Sequence, residues 1–81
     1  MARRNLTDAE KERAERLAAA LRRMKAEENA SVSELAQRAG VGYETVRALL
    51  AAKSAGPSFF LVADLARALN AGLDELADET R

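Results

Sequence analysis

The amino-acid sequence predicts a compact all-α domain of five helices around a single core. Three observations support this fold class. Alanine and leucine are the main apolar residues, and both favour helices because they lose little side-chain entropy there. Apolar residues recur at steps of three and four along the chain, which is the spacing of one helix face. Capping boxes and glycines divide this pattern into segments, as helix starts and ends do.

The first helix is predicted to run from Asp8 to about Glu28, because no helix-breaking residue interrupts this stretch. Thr7 and Glu10 have the spacing of a capping box at its start. Its first two turns are almost wholly polar, so we expect an extended first helix whose start projects beyond the core. The apolar stripe that would face the core consists of Ala14, Leu17, Ala18, Leu21 and Met24.

Residues 1–6 are predicted to form a flexible basic arm, and residues 7–80 a single domain. Arg3 and Arg4 of the arm are candidates for contact with the minor groove or backbone of DNA. The alternative is a short basic terminus without a binding role.

Two short helices joined by a tight turn are predicted in the middle of the chain. Ser31 and Glu34 have capping-box spacing and open the second helix, which ends at Gly40. Gly40 stands where a left-handed residue is expected to reverse the chain. Gly42 is the predicted N-cap of a third helix that continues to about Ala52. Two helices joined by about three residues with a glycine in the turn are typical of a helix-turn-helix motif.

The spacing of apolar residues predicts how these two helices pack. Leu35, Ala36 and Ala39 of the second helix should face Val46 and Leu49 of the third. The third helix would then expose Tyr43, Glu44, Thr45, Arg47, Ala48 and Ala51. An outward helix face with small residues beside a few polar ones fits the major groove of DNA.

A fourth helix is predicted from Ser58 to Leu69, and a last short helix from Leu73. The predicted inward face of the fourth helix consists of Phe59, Val62, Leu65, Ala66 and Leu69. This leaves Phe60 and Leu61 outside the core, and adjacent exposed apolar residues of this size usually mark an interface.

We therefore expect a symmetric homodimer. Its interface would use Phe60, Leu61, Leu73, Leu76 and Ala77. The alternative is that the long first helix folds over Phe60 and Leu61.

The absence of cysteine and histidine excludes disulfides, thiolate metal sites and the most common general base. Asp74, Glu75, Asp78 and Glu79 form two i, i+4 carboxylate pairs, which we interpret as a solvated acidic helix end rather than a cation site. No Ser/His/Asp set and no glycine-rich phosphate loop occurs. We therefore predict no enzymatic activity, no metal site and no cofactor.

The formal net charge is zero, but the charges are unevenly distributed. Residues 1–30 carry a net charge of +2, residues 31–58 +1, and residues 59–81 −3. No apolar run approaches the roughly 20 residues that span a bilayer. We expect no membrane partner and a cytoplasmic protein.

A resemblance to a known family extends this interpretation. The stretch SVSELAQRAGVGYETVRALLAAKSAGPS, continued by FFLVADLARALNAGLDEL, resembles the Cro-like phage-repressor family of helix-turn-helix proteins. The matching elements are Glu34-Leu35-Ala36, Gly40-Val41, Thr45-Val46, Pro57-Ser58, Leu65-Ala66-Arg67-Ala68-Leu69 and Leu73-Asp74-Glu75-Leu76. The resemblance covers residues 17 to 77 and implies a five-helix, lambda-repressor-like domain, usually dimeric, that regulates transcription at an operator. It also implies a nucleoid-associated protein of bacterial or phage origin.

The resemblance also implies two sets of DNA contacts. The candidates for base contact are Tyr43, Glu44 and Ala48, with Thr45 and Arg47 beside them. The candidates for backbone contact are Val32, Lys53 and Lys25, besides the two arginines of the arm. Many relatives have a glutamate at the position of Leu50, paired with a basic residue near Lys25. Leu50 cannot form that pair, so Lys25 is expected to be freer to point at phosphate or solvent.

Glu44 has two interpretations at this stage. Its carboxylate can accept a hydrogen bond from cytosine N4 and so contribute to specificity. Alternatively, it stabilises the positive end of the helix dipole from the first turn.

The function predicted is a sequence-specific double-stranded DNA-binding transcriptional regulator, more readily a repressor of the phage or mobile-element type than an activator. The main alternative is a protein-interaction module such as an antitoxin or anti-regulator. That alternative draws on the zero net charge, the acidic last helix and the Phe60-Leu61 pair. An excisionase-like recombination accessory factor is a third interpretation, which keeps the DNA binding.

Overall fold

Five α-helices make up most of the part of the chain that the structure, a computed structural model, describes: residues 8–53 and 57–80. They are α1 (Asp8–Glu27), α2 (Val32–Ala39), α3 (Tyr43–Leu50), α4 (Phe59–Ala68) and α5 (Leu73–Glu79). Within these ranges no strand occurs, and the predicted all-α, five-helix fold is confirmed. None of the described helices combines the length and apolar character needed to cross a membrane.

Side-chain caps determine where two of the helices begin. The Ser31 hydroxyl oxygen accepts a hydrogen bond from the Glu34 backbone N–H at 3.0 Å, and the Ser31 N–H donates to Glu34 Oε1 at 2.8 Å. The predicted capping box of α2 is therefore confirmed. Ser58 caps α4 in a similar way, because its hydroxyl accepts from the Leu61 N–H at 3.1 Å. The box predicted at Thr7 lies outside the described residues.

The same hydrogen-bond arrangement ends the first four helices. In α2, the Val41 N–H donates to the Ala36 carbonyl at 3.0 Å and the Gly40 N–H donates to the Gln37 carbonyl at 3.3 Å. The residue at the reversal has a left-handed backbone in each case: Asn29 (φ 54°), Gly40 (φ 72°), Ala52 (φ 60°) and Asn70 (φ 57°). The left-handed glycine predicted at the end of α2 is confirmed. Ala52 is the one alanine at these four positions.

Each helix contributes a fully buried leucine to one shared core: Leu21, Leu35, Leu49, Leu65 and Leu76. The helices enclose these leucines because α2 packs on α3 and α4, α1 packs on α3 and α5, and α4 packs on α5. Among the described residues no polar or charged side chain is buried. Burial of apolar surface from all five helices is therefore the main stabilising contribution to this fold.

Several predicted burial states are wrong around α4 and α5. Phe59 was expected to face the core but is 66% exposed, because it begins α4 and lies beyond the end of the core. Leu61 was expected outside the core but is half-buried and packs against it. Leu76 was expected at the dimer interface, yet it is only 2% exposed and belongs to the core. Phe60 is 76% exposed, so the alternative in which α1 covers it is also wrong.

The polar start of α1 lies mostly outside the core, as predicted, but it is connected to the end of α5. Arg13 Nε donates to the Thr80 carbonyl at 3.2 Å. Arg23, two to three turns further along α1, forms an ion pair with Glu79 and a longer one with Glu27 at 3.7 Å. Part of the acidic charge of the last helix is therefore balanced by Arg23 of the first.

Candidate nucleic-acid interface

The turn between α2 and α3 sets the orientation of the two helices. Gly40 adopts the left-handed conformation that an L side chain rarely takes, and Gly42 begins α3 from an extended backbone. Val41 between them is half-buried and packs against the core. Leu35 and Val46 are both fully buried, which is the arrangement predicted for the packed faces of the two helices.

The opposite face of α3 is open to solvent. Tyr43 is 47% exposed, and Glu44, Thr45 and Arg47 are also exposed. Ala48, expected on the same open face, is half-buried. The structure therefore brings four of the five predicted base-contact residues to an uncovered surface and places the fifth at its edge.

Glu44 and Arg47 form an ion pair within this surface. Arg47 Nε donates to Glu44 Oε1 at 3.2 Å, an i, i+3 contact across one turn of the helix. The side chains are 78% and 63% exposed, respectively, so the pair contributes little to folding stability. No other partner of the Arg47 guanidinium occurs in the described part of the chain. Its two terminal nitrogens therefore keep their donors.

The carboxyl end of α3 is held by α1. Arg22 Nη1 donates a hydrogen bond to the Leu50 carbonyl, while the Leu50 side chain is 6% exposed and lies in the core. A guanidinium in this position satisfies a carbonyl that the helix itself leaves unpaired and faces the negative end of the helix dipole. Arg22 is not among the site residues predicted from the sequence, because the contact joins residues 28 positions apart. Lys53 follows α3 and is exposed.

Lys25 is less free than the sequence predicted. Its ammonium donates to the Ala30 carbonyl at 3.1 Å, and its side chain is half-buried. The interaction connects the end of α1 to the segment that precedes α2. The expectation that Lys25 points at phosphate or solvent because Leu50 offers no carboxylate is therefore wrong in this structure: a backbone carbonyl takes the place of that carboxylate.

At the start of α2, backbone N–H groups rather than side chains are available for contact with a DNA phosphate. Val32 is half-buried against the core, so its side chain has a packing role. The N–H groups of Val32 and Ser33 belong to the first turn and have no partner within the helix. Such groups bind phosphate readily. The carboxylate of Glu34 lies at the same helix end, so its negative charge disfavours the binding of an anion here. Arg3 and Arg4 of the arm lie outside the described residues.

The carboxylate of Glu34, in the capping box at this end of α2, has a shifted pKa. The pKa of Glu34 is lowered from its usual value of 4.5, first because the carboxylate accepts the backbone N–H of Ser31. Within the same ranges, no group of three or more acidic residues lies close enough together to hold a metal ion.

Comparison with known proteins agrees with this arrangement. Residues 16–78 match the family described as "Helix-turn-helix domain", a stretch that includes most of α1 and nearly all of α5 as well as the central motif. No curated protein matches the chain. Five helices in the predicted order, the left-handed glycine between α2 and α3, and a family match over most of the chain lead to one conclusion. The chain belongs to the helix-turn-helix domain family of the Cro-like kind.

Proposed function

We propose that this chain is a transcriptional regulator that binds a specific double-stranded DNA operator with α3 in the major groove. The family is one of DNA-binding regulators. The observation that supports the specific proposal is that one face of α3 is apolar and buried, whereas the other is polar and exposed. Val46, Leu49 and Leu50 bury one face, while polar side chains one turn apart occupy the other and nothing in the described chain covers them.

Arg47 has the leading role in this proposal. An exposed guanidinium on a helix in the major groove can donate two hydrogen bonds to guanine O6 and N7. Tyr43 at the start of α3 and Thr45 would contact bases or the adjoining phosphates. Ala48, half-buried at the edge of the surface, would allow the backbone to approach the DNA closely.

Contacts with the DNA backbone would position the helix without reading sequence. Lys53, exposed just after α3, and the free N–H groups at the start of α2 are suited to this task. Lys25 would have to give up its bond to the Ala30 carbonyl to take part. Arg3 and Arg4 remain candidates through the arm.

The proposal includes a homodimer and repression. Phe60 is the most exposed large apolar residue in the described ranges, and Leu73 and Ala77 of α5 are exposed as well. A two-fold dimer through these residues would present two copies of α3 to half-sites about 34 Å apart, one turn of DNA. Repression would follow where such an operator overlaps a promoter.

Selection from random duplexes followed by footprinting tests the proposal. We expect one enriched site with two-fold symmetry, and a loss of about 10- to 100-fold in affinity for that site in Arg47→Ala. Arg16→Ala, which removes an exposed arginine from α1, is the matched control and should keep near-native affinity. An absence of any enriched site, together with unchanged binding by Arg47→Ala, would overturn the proposal.

A protein-interaction module is the second candidate function. It is favoured by an apolar groove of about 620 Å³ between α1, α4 and α5, which Phe59 and Leu73 border with exposed side chains. Chromatography on heparin or random DNA at low salt separates the two candidates. A DNA-binding regulator is retained, whereas an antitoxin- or anti-regulator-like module that binds only protein passes through. An excisionase-like accessory role would share the DNA contacts of the first proposal.

A further inference from the structure

We propose that Glu44 contributes to sequence recognition through Arg47: its carboxylate holds Arg47 Nε, so that the two terminal nitrogens of the guanidinium face a guanine. Glu44 would then be a positioning residue for base recognition. This inference rests on the proposed function and concerns how the same surface distinguishes bases.

The geometry on which the inference rests is the orientation of the guanidinium. The arginine side chain has five N–H donors in one plane, of which Nε carries one and the terminal nitrogens carry four. The bond from Nε to Glu44 Oε1, at 3.2 Å, uses the donor nearest the side-chain stem. The terminal nitrogens are therefore left for a bidentate contact with guanine O6 and N7.

The ion pair also limits the rotamers that the Arg47 side chain samples before DNA binds. An arginine that is 63% exposed samples many orientations, and ordering it on binding costs conformational entropy. A carboxylate one helical turn away restricts that sampling before the DNA arrives. A positioned guanidinium consequently binds guanine with a smaller loss of entropy than an unrestrained one.

The charge of Glu44 has a second, opposing effect. Its carboxylate is 78% exposed on the helix face that approaches the DNA, and it repels phosphates of any sequence. Glu44 should therefore weaken binding to random duplexes while it strengthens the preference for guanine. A residue with a purely structural role would not produce these two effects with opposite signs.

Direct recognition of cytosine by Glu44 is the competing possibility, because a carboxylate can accept a hydrogen bond from cytosine N4. The two possibilities differ in their dependence on Arg47. Positioning requires the guanidinium to be present, whereas a direct contact with cytosine persists without it.

A double-mutant cycle distinguishes them. The probes are the duplex selected by the native protein, variants with each other base pair at the position that depends on Arg47 and at each neighbouring position, and a random duplex at one fixed salt concentration. The proteins are the native chain, Glu44→Ala, Glu44→Gln, Arg47→Ala and the double variant Glu44→Ala/Arg47→Ala. Both side chains are exposed, so thermal unfolding is expected to show that all variants fold.

We expect Glu44→Ala to bind the random duplex more tightly and to discriminate less well at the guanine position, by about twofold to fivefold, the range of an exposed ion pair. Glu44→Gln keeps an acceptor for Nε and should retain more of the discrimination. In the Arg47→Ala background, removal of Glu44 should leave discrimination unchanged.

Two results would overturn the inference alone. One is a native-like guanine preference in Glu44→Ala. The other is a preference for cytosine that Glu44→Ala reduces by the same factor whether Arg47 is present or replaced by alanine. In both results the selected site and its dependence on Arg47 remain, so the proposed function survives. Failure to select any site would overturn the proposed function and the inference together.

Discussion

Arg22 of α1 donates a hydrogen bond from Nη1 to the carbonyl oxygen of Leu50, in the last turn of α3. The side chain of Leu50 is meanwhile buried among the other helices. The end of α3 is thus held twice, through apolar packing of the Leu50 side chain and through a charged donor to its backbone carbonyl. This contact connects the end of α3 to α1.

Substitution of Arg22 should therefore reduce both stability and recognition. We expect Arg22→Ala to lower the free energy of unfolding by about 1 kcal/mol, since a partly exposed hydrogen bond from a charged group is lost. Affinity for the selected operator should fall further than the loss of one positive charge explains. Urea denaturation and operator titration measure the two effects. Arg16→Ala, with the same charge change on α1, should alter neither beyond the charge effect; equal behaviour of the two variants would contradict the role of Arg22.

Ala52 offers a stabilising substitution. Its φ of 60° is left-handed, and a side chain in that conformation costs roughly 1 kcal/mol that glycine avoids. We therefore expect Ala52→Gly to raise the free energy of unfolding by about 1 kcal/mol. Ala19→Gly, on an exposed face within α1, should lower it by a similar amount because glycine is unfavourable inside a helix. Calorimetry showing a decrease for both variants would rule out backbone strain at Ala52.

Because of Glu34, the free energy of unfolding should depend on pH in the acidic range. Its folded-state pKa lies below the usual 4.5 because the carboxylate accepts the Ser31 N–H, so the charged form is favoured by folding. That contribution is fully present above about pH 4.5 and is lost as the pH falls through the lower folded-state value. The stability difference between the native chain and Glu34→Gln should therefore shrink with acidification. Denaturation at a series of pH values measures it, with Glu12→Gln as the control for net charge; a constant difference would contradict the prediction.

Phe60 should control self-association. Truncation of an aromatic residue that is a hot spot of an interface costs at least tenfold in affinity. We expect Phe60→Ser to raise the dimer dissociation constant by about that factor in sedimentation equilibrium, with little change in the stability of the protomer, since the ring is 76% exposed. Tyr43→Ser removes an exposed aromatic residue from α3 and is the matched control. A native chain that stays monomeric at high micromolar concentration would overturn the dimer itself.

Local sequence signals predicted the helix boundaries well. The capping box at Ser31 and Glu34 and the left-handed turn at Gly40 depend on residues within four positions of one another, so the chain pattern contains them. The ion pair between Glu44 and Arg47 is of the same kind, because opposite charges three residues apart on a helix lie together. The spacing of the two residues is sufficient to predict this ion pair, which the separate interpretation of each residue does not include.

Features that depend on the extent of the core were predicted less well. Helical periodicity placed Phe59 on the same face as Val62, but periodicity does not tell how far the core reaches along the helix. The same limit affected Leu76, which the spacing of a seven-residue helix could not assign to one side. The bond from Arg22 to Leu50 depends on two helices meeting in space. No local pattern encodes it.

The wholly apolar core of the described residues has a practical consequence for experiments on this protein. Within the described ranges, this core contains no buried ionisable or polar side chain. The folding free energy therefore does not depend on the protonation or pairing of a buried group near neutral pH. Changes in ionic strength or in pH between about 6 and 8 should therefore leave the folded population nearly constant. A salt titration of DNA binding will then count the phosphates engaged by the protein, free from a background of unfolding.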